Sequence, residues 1–395
     1  MTDEKVIKMV NEALWADSIR IRSRVDETTF APPMQTQEDL LMRLLRDNSH
    51  TEYGMKYDFS SIQCVSDYQQ RVPVSTYSDY LPYITRMIEK DEKNLLTAYR
   101  TEHFTLSSTH HRVPLTRLGI LSVNEYTLGT AIYTAEYNGF LLDGFVLNLL
   151  DCQVDTLTSG ASTGTVFGSM MRSRQTLYEK ISVPPIDVLM SPDVIKTRRL
   201  RAHHALSHEN IAYVLCNRYG DFVELIRFIE KHWPVLCDEI GDSERASAVK
   251  EVMQVHAIGT QLVTQLWPKL RCIIVFGEHR FTSDTEVLRN YCGTDVHLIL
   301  TGICIPEGVV STTLHIDDAE SVLLPDSMFY EFRHLSDKSY RHLLTIDQIK
   351  AGQDYELVIT NLSGFYRYRT GMNVRVVGRY HECPTVELID FDGMG

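Results

Sequence analysis

The chain has no pair of cysteines in CxxC spacing, no low-complexity tract and no long uncharged apolar run, and its Lys/Arg residues nowhere form a block. The eight cysteines (64, 152, 216, 237, 272, 292, 304 and 383) are scattered, several within apolar stretches such as Leu215-Cys216 and Cys272-Ile273-Ile274. Close thiol pairs make zinc and redox sites, and dense cysteine frameworks belong to small secreted domains, so these read as buried thiols in a reducing compartment. A membrane helix needs roughly 18 apolar residues, and the opening Met1-Thr2-Asp3-Glu4-Lys5 lacks the order of a signal peptide. No membrane insertion is expected, and cytoplasm is the expected location. A net charge of −13 without a basic stripe excludes nucleic acid as an expected partner. The densest basic stretch, Lys196-Thr197-Arg198-Arg199-Leu200-Arg201, reads as a solvated helix end.

What remains is the balance of an ordinary globular protein: 395 residues, 44% hydrophobic and 23% charged. Helical spacing dominates the first hundred residues, as at Leu40, Leu41, Leu44 and Leu45. Phe104-Thr105-Leu106 predicts a short strand. Residues 124–137 predict a helix with Tyr126, Thr130, Tyr133 and Tyr137 in one stripe, which fits either core packing or the wall of a ligand pocket. Ile211 to Leu215, Cys272 to Phe276 and His297 to Leu300 read as buried strands. The amphipathic run from Phe222 to Leu236 and the segment from Asp284 to Tyr291 supply helices between them. Such alternation implies a largely parallel sheet. After Leu314 the pattern turns strand-rich, at Tyr355 to Thr360, Asn373 to Val377 and Val386 to Ile389. We expect an α/β fold in one large domain with intertwined subdomains, a helix/sheet part to about 313 and a small barrel-like strand-rich part over about 314–392.

Several blocks are family-like. Thr51-Glu52-Tyr53-Gly54 through Phe59, Arg71 through Tyr77, Tyr80 to Ile84, Phe228 to Trp233, and Gly364-Phe365-Tyr366-Arg367-Tyr368-Arg369-Thr370-Gly371 resemble, in order, the Gretchen Hagen family of acyl acid amido synthetases. The resemblance implies the large N-terminal domain of the adenylate-forming fold. Members adenylate a small, often hydrophobic carboxylic acid with Mg-ATP and pass the acyl group to an amino acid.

Three nucleotide motifs of that family are altered here. A Ser/Thr/Gly-rich triphosphate loop becomes Ser107-Ser108-Thr109-His110-His111-Arg112-Val113-Pro114-Leu115-Thr116, which is shorter and lacks glycine, although Arg112 is placed to replace the family's lysine. A YxSSE-like stretch becomes Ile303-Cys304-Ile305-Pro306-Glu307, which keeps only the carboxylate, and a lone carboxylate holds Mg²⁺ poorly. In the YRYRxGD motif Met372 stands at the aspartate that would accept both ribose hydroxyls. Arg367 and Arg369 remain, for ligand or for sheet packing. The family's smaller swivelling domain is expected to be absent.

These readings lead to an ATP-independent enzyme, a cyclase or isomerase (a pericyclase among the options) in specialised metabolism, acting on a hydrophobic small molecule with no metal and no cofactor. A carboxylic acid is within that class. The expected catalytic group is Glu307 with His110, His111 and Arg112; the expected substrate contacts are Ser107, Ser108, Tyr126, Thr130, Tyr133, Thr301, Gly302 and Tyr366. Two alternatives stay open: a synthetase with a divergent ATP site, and a small-molecule-binding pseudoenzyme; the His pair also reads as a solvated turn.

Overall fold

The computed structural model describes residues 3–107, 110–140, 142–191, 193–255, 261–277 and 283–391. Its parallel pairing is concentrated in one five-stranded sheet, ordered Ser182–Val183, Phe145–Asn148, Ile211–Cys216, Cys272–Val275, His297–Leu300. Ile211–Cys216 and Cys272–Val275 are buried at every position, as strands covered by helices on both faces must be. On one face the helix Tyr219–Glu239 inserts Phe222, Ile226 and Ile229. On the other lie the helix Thr130–Tyr137 and Ile7, Val10 and Leu14 of the N-terminal helix Asp3–Phe30. That first helix buries a stripe that continues through Ile21 and Val25 at spacings of three and four residues, which gives it one inward face along its length.

A four-stranded mixed sheet runs Arg112–Thr116, Thr101–Leu106, Ser162–Gly164, Val154–Thr156. Its first two strands form an antiparallel hairpin, and Thr101–Leu106 pairs in parallel with Ser162–Gly164. The third large sheet is antiparallel and six-stranded: Ser311–Thr313, Ser321–Leu323, Cys383–Phe391, Tyr368–Tyr380, Asp354–Thr360, Phe329–His334. The strand-rich part therefore begins at Ser311. Helices Pro33–Asp47, Val65–Arg71 and Tyr77–Lys90 close over this sheet through Leu41, Tyr68, Tyr80, Phe329, Leu357 and Tyr366 in one core.

The predicted helix over 124–137 is present but interrupted. Helix Arg117–Asn124 passes into a π-turn at Glu125–Gly129 before Thr130–Tyr137, and the extra residue per turn rotates the tyrosine stripe. The eight thiols are free; all but Cys64 and Cys304 are buried. Among the described residues no helix is long and apolar enough to cross a membrane, and no group of His, Cys, Asp and Glu is arranged to hold a metal ion.

Candidate functional site

The hairpin joining Thr101–Leu106 to Arg112–Thr116 turns tightly. Ser107 N–H donates to the His111 carbonyl and His110 N–H to the Ser107 carbonyl, both at 2.9 Å. The His111 N–H donates to Ser107 Oγ at 3.0 Å, and His110 takes a left-handed φ of 62°. The next amide, of Arg112, donates to the Tyr77 hydroxyl at 3.1 Å, and that hydroxyl donates back to the Arg112 carbonyl at 3.0 Å. Amide donors at 107, 110, 111 and 112 are thus consumed within the turn and by Tyr77. Ser108 lies outside the described residues.

Tyr77 opens the helix Tyr77–Lys90, whose start is fixed by a capping box between Thr76 and Asp79. Its ring stacks on the His111 imidazole with centroids 4.0 Å apart. Burial raises the pKa of its phenol, and the nearby Glu307 charge pushes the same way. The hairpin and Glu307 therefore flank one tyrosine.

Glu307 sits in the turn between Cys304–Ile305 and Gly308–Val309, 8% exposed. Burial pushes its carboxyl up to about 7, against the opposing effect of hydrogen bonds from its own amide and from the Tyr368 hydroxyl. Its main-chain carbonyl accepts from Asn361 Nδ2 at 2.9 Å. Tyr368, in the Tyr366-Arg367-Tyr368-Arg369 block, is buried, and both burial and Glu307 raise its phenol pKa. Close to neutral pH the Glu307 carboxyl can therefore carry a proton and donate it. The adjacent Cys304 thiol, pushed up to about 12 by burial and by Glu307, is no nucleophile at neutral pH.

Both arginines of the block are engaged in the protein. Arg367, at φ 49°, donates to both carboxylate oxygens of the buried Glu331 (2.9 Å from Nε and 2.9 Å from Nη2) and to the carbonyls of Gln69 and Val72 at 2.7 Å each. Arg369 bonds Glu356 at 3.2 Å and lies 4.2 Å from the Tyr340 ring centre. Met372 is 1% exposed within the large aromatic core. Tyr366 belongs to the same core, its hydroxyl on the Leu96 carbonyl at 2.9 Å and its ring 5.0 Å from Tyr53. It is held as packing, where a substrate contact had been expected.

Tyr126, Thr130 and Tyr133 of the tyrosine stripe likewise face protein, while Tyr137 is exposed. Tyr126 donates to Asp326 at 2.6 Å beneath the Arg24 guanidinium, and Thr130 shares a 2.7 Å hydrogen bond with Thr312. Tyr133 stacks on Trp15 of the N-terminal helix and on Tyr137. Thr301 is buried, with no partner for its hydroxyl among the described residues. Gly302 has φ +84°, and a Cβ there would stand 2.4 Å from the Ser311 carbonyl, so the chain passes against the strand Ser311–Thr313 at close range. Of the expected residues, the structure groups Glu307, His111 and Arg112 around Tyr77, leaves the His110 side chain exposed, and sets the stripe against the first helix. Tyr77 and Tyr368 were not singled out beforehand, although both lie inside the family-like blocks. Among the described residues, clefts of about 620 and 350 Å³ lie elsewhere, and neither is lined by Glu307, Tyr77 or Tyr368.

The fold is of the adenylate-forming type, and the hairpin, the Glu307 turn and the Tyr368 strand come together near Tyr77. Residues 24–297 match the GH3 family N-terminal domain and residues 321–390 the GH3 family central domain, and the chain belongs to the GH3 family. It is 25% identical over 405 residues to the probable indole-3-acetic acid-amido synthetase GH3.11 of Oryza sativa subsp. japonica, covering 90% of this chain and 68% of that one. Against the probable indole-3-acetic acid-amido synthetase GH3.1 of the same plant it is 24% identical, covering 90% of this chain and 65% of that protein. The chain thus spans about two thirds of the length of these relatives. Among solved structures it resembles the AtGH3.15 acyl acid amido synthetase in complex with 2,4-DB at a TM-score of 0.82 and 21% identity, covering 94% of this chain and 70% of that one. A 2-hydroxyisobutyryl-CoA ligase shares the fold more distantly, at a TM-score of 0.52 and 12% identity over 89% of this chain and 72% of the ligase.

The amides of Ser107, His110 and His111 bond within the hairpin and that of Arg112 bonds Tyr77, while Met372 and the Glu307 carboxyl are buried.

Proposed function

We propose that the chain is a small-carboxylic-acid enzyme of the acyl acid amido synthetase type, with a rebuilt nucleotide site. Family membership supports the class. The observation that carries the location is the convergence of the hairpin, the Glu307 turn and the Tyr368 strand around Tyr77. In this reading a protonated Glu307, oriented by the Tyr368 hydroxyl, donates a hydrogen bond to the acid. The carboxylate needs such a donor once it leaves water.

A second reading is favoured by Met372 and the closed hairpin: the acid is held and then cyclised or isomerised without nucleotide. Glu307 would act as proton donor to a substrate carbonyl, and a preformed pocket would supply proximity.

One experiment separates the two. The protein is incubated with indole-3-acetic acid, 2,4-DB and related acids plus an amino-acid mixture, with and without Mg-ATP, and products are read by mass spectrometry. An acid–amino acid amide formed only with ATP supports the first reading. An isomeric product formed without ATP supports the second. If no acid is either bound or converted, both fail.

A further inference from the structure

In the parallel sheet, Phe145–Asn148 comes first in the chain, yet its successor Ser182–Val183 lies on one side of it and Ile211–Cys216 on the other. Connections leaving a strand pair in opposite directions open a crevice at the carboxyl ends of those strands, where α/β sheets take their ligands. The 350 Å³ cleft lies there, floored by Leu149 and Asn217, which follow the two strands, and walled by Arg201 of the helix Val194–Ser207.

The polar groups of this cleft are incompletely matched. Arg198 pairs with Glu224 at 3.3 Å and Arg218 with Asp221 at 3.1 Å. Arg201 instead donates to two carbonyls, Leu149 at 3.4 Å and Leu150 at 3.0 Å, and meets no carboxylate within ion-pair distance among the described residues. Among the described residues its Nε–H is buried without a partner, as is Asn217 Oδ1. A buried donor and a buried acceptor left open beside one cleft are each a cost that a ligand, or water, would relieve. Burial lowers the pKa of the guanidinium below its usual range even though Asp151 and Asp221 lie near enough to support its charge.

We propose that this crevice binds a small organic anion, carboxylate or phosphate, whose charged group is drawn to Arg201 and whose neighbouring hydroxyl or amine donates to Asn217 Oδ1. Its volume is at the lower end of the range for small-molecule sites, which favours a compact metabolite. The site is separate from the Glu307–Tyr368 group and does not depend on the function proposed above.

The test follows the arginine Nε–H resonances by ¹H–¹⁵N NMR while glycolate or inorganic phosphate is added at constant ionic strength; the two probes distinguish a carboxylate from a phosphate ligand. A saturable shift of the Arg201 Nε–H with at least one probe, at about 10 mM or below, is expected. Arg201→Gln assigns the signal. Because that change also removes the bonds to Leu149 and Leu150, Ser191→Trp, at the lip of the cleft, serves as the second variant and should weaken binding at least about tenfold while thermal unfolding stays near wild type. No saturable shift with either probe, or full affinity retained in Ser191→Trp, would overturn the proposal.

Discussion

The ring of Tyr77 lies flat on the imidazole of His111, with planes 1° from parallel, and its hydroxyl closes both backbone groups of Arg112. A helix start is thereby fastened to the hairpin that joins Thr101–Leu106 to Arg112–Thr116. Tyr77→Phe keeps the stack and loses both hydrogen bonds, which should cost about 1 kcal/mol because Arg112 is exposed enough for water to replace them. Hydrogen exchange should report the change locally: the Arg112 amide should exchange faster, with the Ile211–Cys216 amides unaffected. Unchanged protection at Arg112 would mean that the hairpin is held some other way.

The second prediction concerns pH. The folded Glu307 carboxyl titrates at about 7, above the ordinary value of 4.5. A raised acid binds its proton more tightly in the folded state, so its stabilising contribution is complete below about 4.5 and is lost as pH rises through 7. Glu307→Gln removes this penalty. Urea unfolding should give the variant roughly 2–3 kcal/mol more stability relative to wild type at pH 8.5 than at pH 4.5. A difference between the two proteins that does not vary with pH would place the carboxyl in contact with water.

Arg367 and Glu331 form the third. Removing one partner of a buried ion pair leaves a charge uncompensated, and Glu331→Gln should cost ~3–5 kcal/mol. The partly exposed Arg369→Gln should cost about 1 kcal/mol. Equal, small losses in chemical denaturation would show that the pair does not hold Arg367 in place and would favour the ligand role left open for it.

Met372 provides the fourth. Restoring the family's aspartate with Met372→Asp puts a carboxylate into a core that surrounds the thioether, so the variant should lose several kcal/mol, about 3 or more. It should gain no affinity for Mg-ATP in calorimetry. A stable variant that binds Mg-ATP would show that only this side chain separates the site from the family's.

Strands such as Cys272–Val275 and His297–Leu300 were legible because both faces are buried, so hydrophobic runs survive in the sequence. Glu307 was singled out because it ends a stretch that resembles a family motif, and the structure shows that its carboxyl is buried. The surroundings of the tyrosine stripe were not legible: Tyr126 meets Asp326 and Tyr133 meets Trp15, partners far away in the chain, and no periodicity signals the π-turn that rotates them. Tyr77 and Tyr368 were in plain view, yet their role depends on a hairpin, a turn and a strand end being brought together, which only the fold specifies.

The central claim is that a small carboxylic acid binds against a protonated Glu307 oriented by Tyr368. Calorimetric titration with indole-3-acetic acid and 2,4-DB, at pH 6 and pH 8.5, tests it in wild type, Glu307→Gln and Tyr368→Phe. The account predicts a dissociation constant below about 1 mM for one of the acids at pH 6, worth about 4 kcal/mol. Affinity should fall about tenfold or more at pH 8.5, where Glu307 is ionised and repels the carboxylate, and Tyr368→Phe should weaken binding at pH 6. Glu307→Gln should bind the acid equally at both pH values. Failure of both acids to bind at either pH, or binding with the same pH dependence in wild type and Glu307→Gln, would contradict the claim.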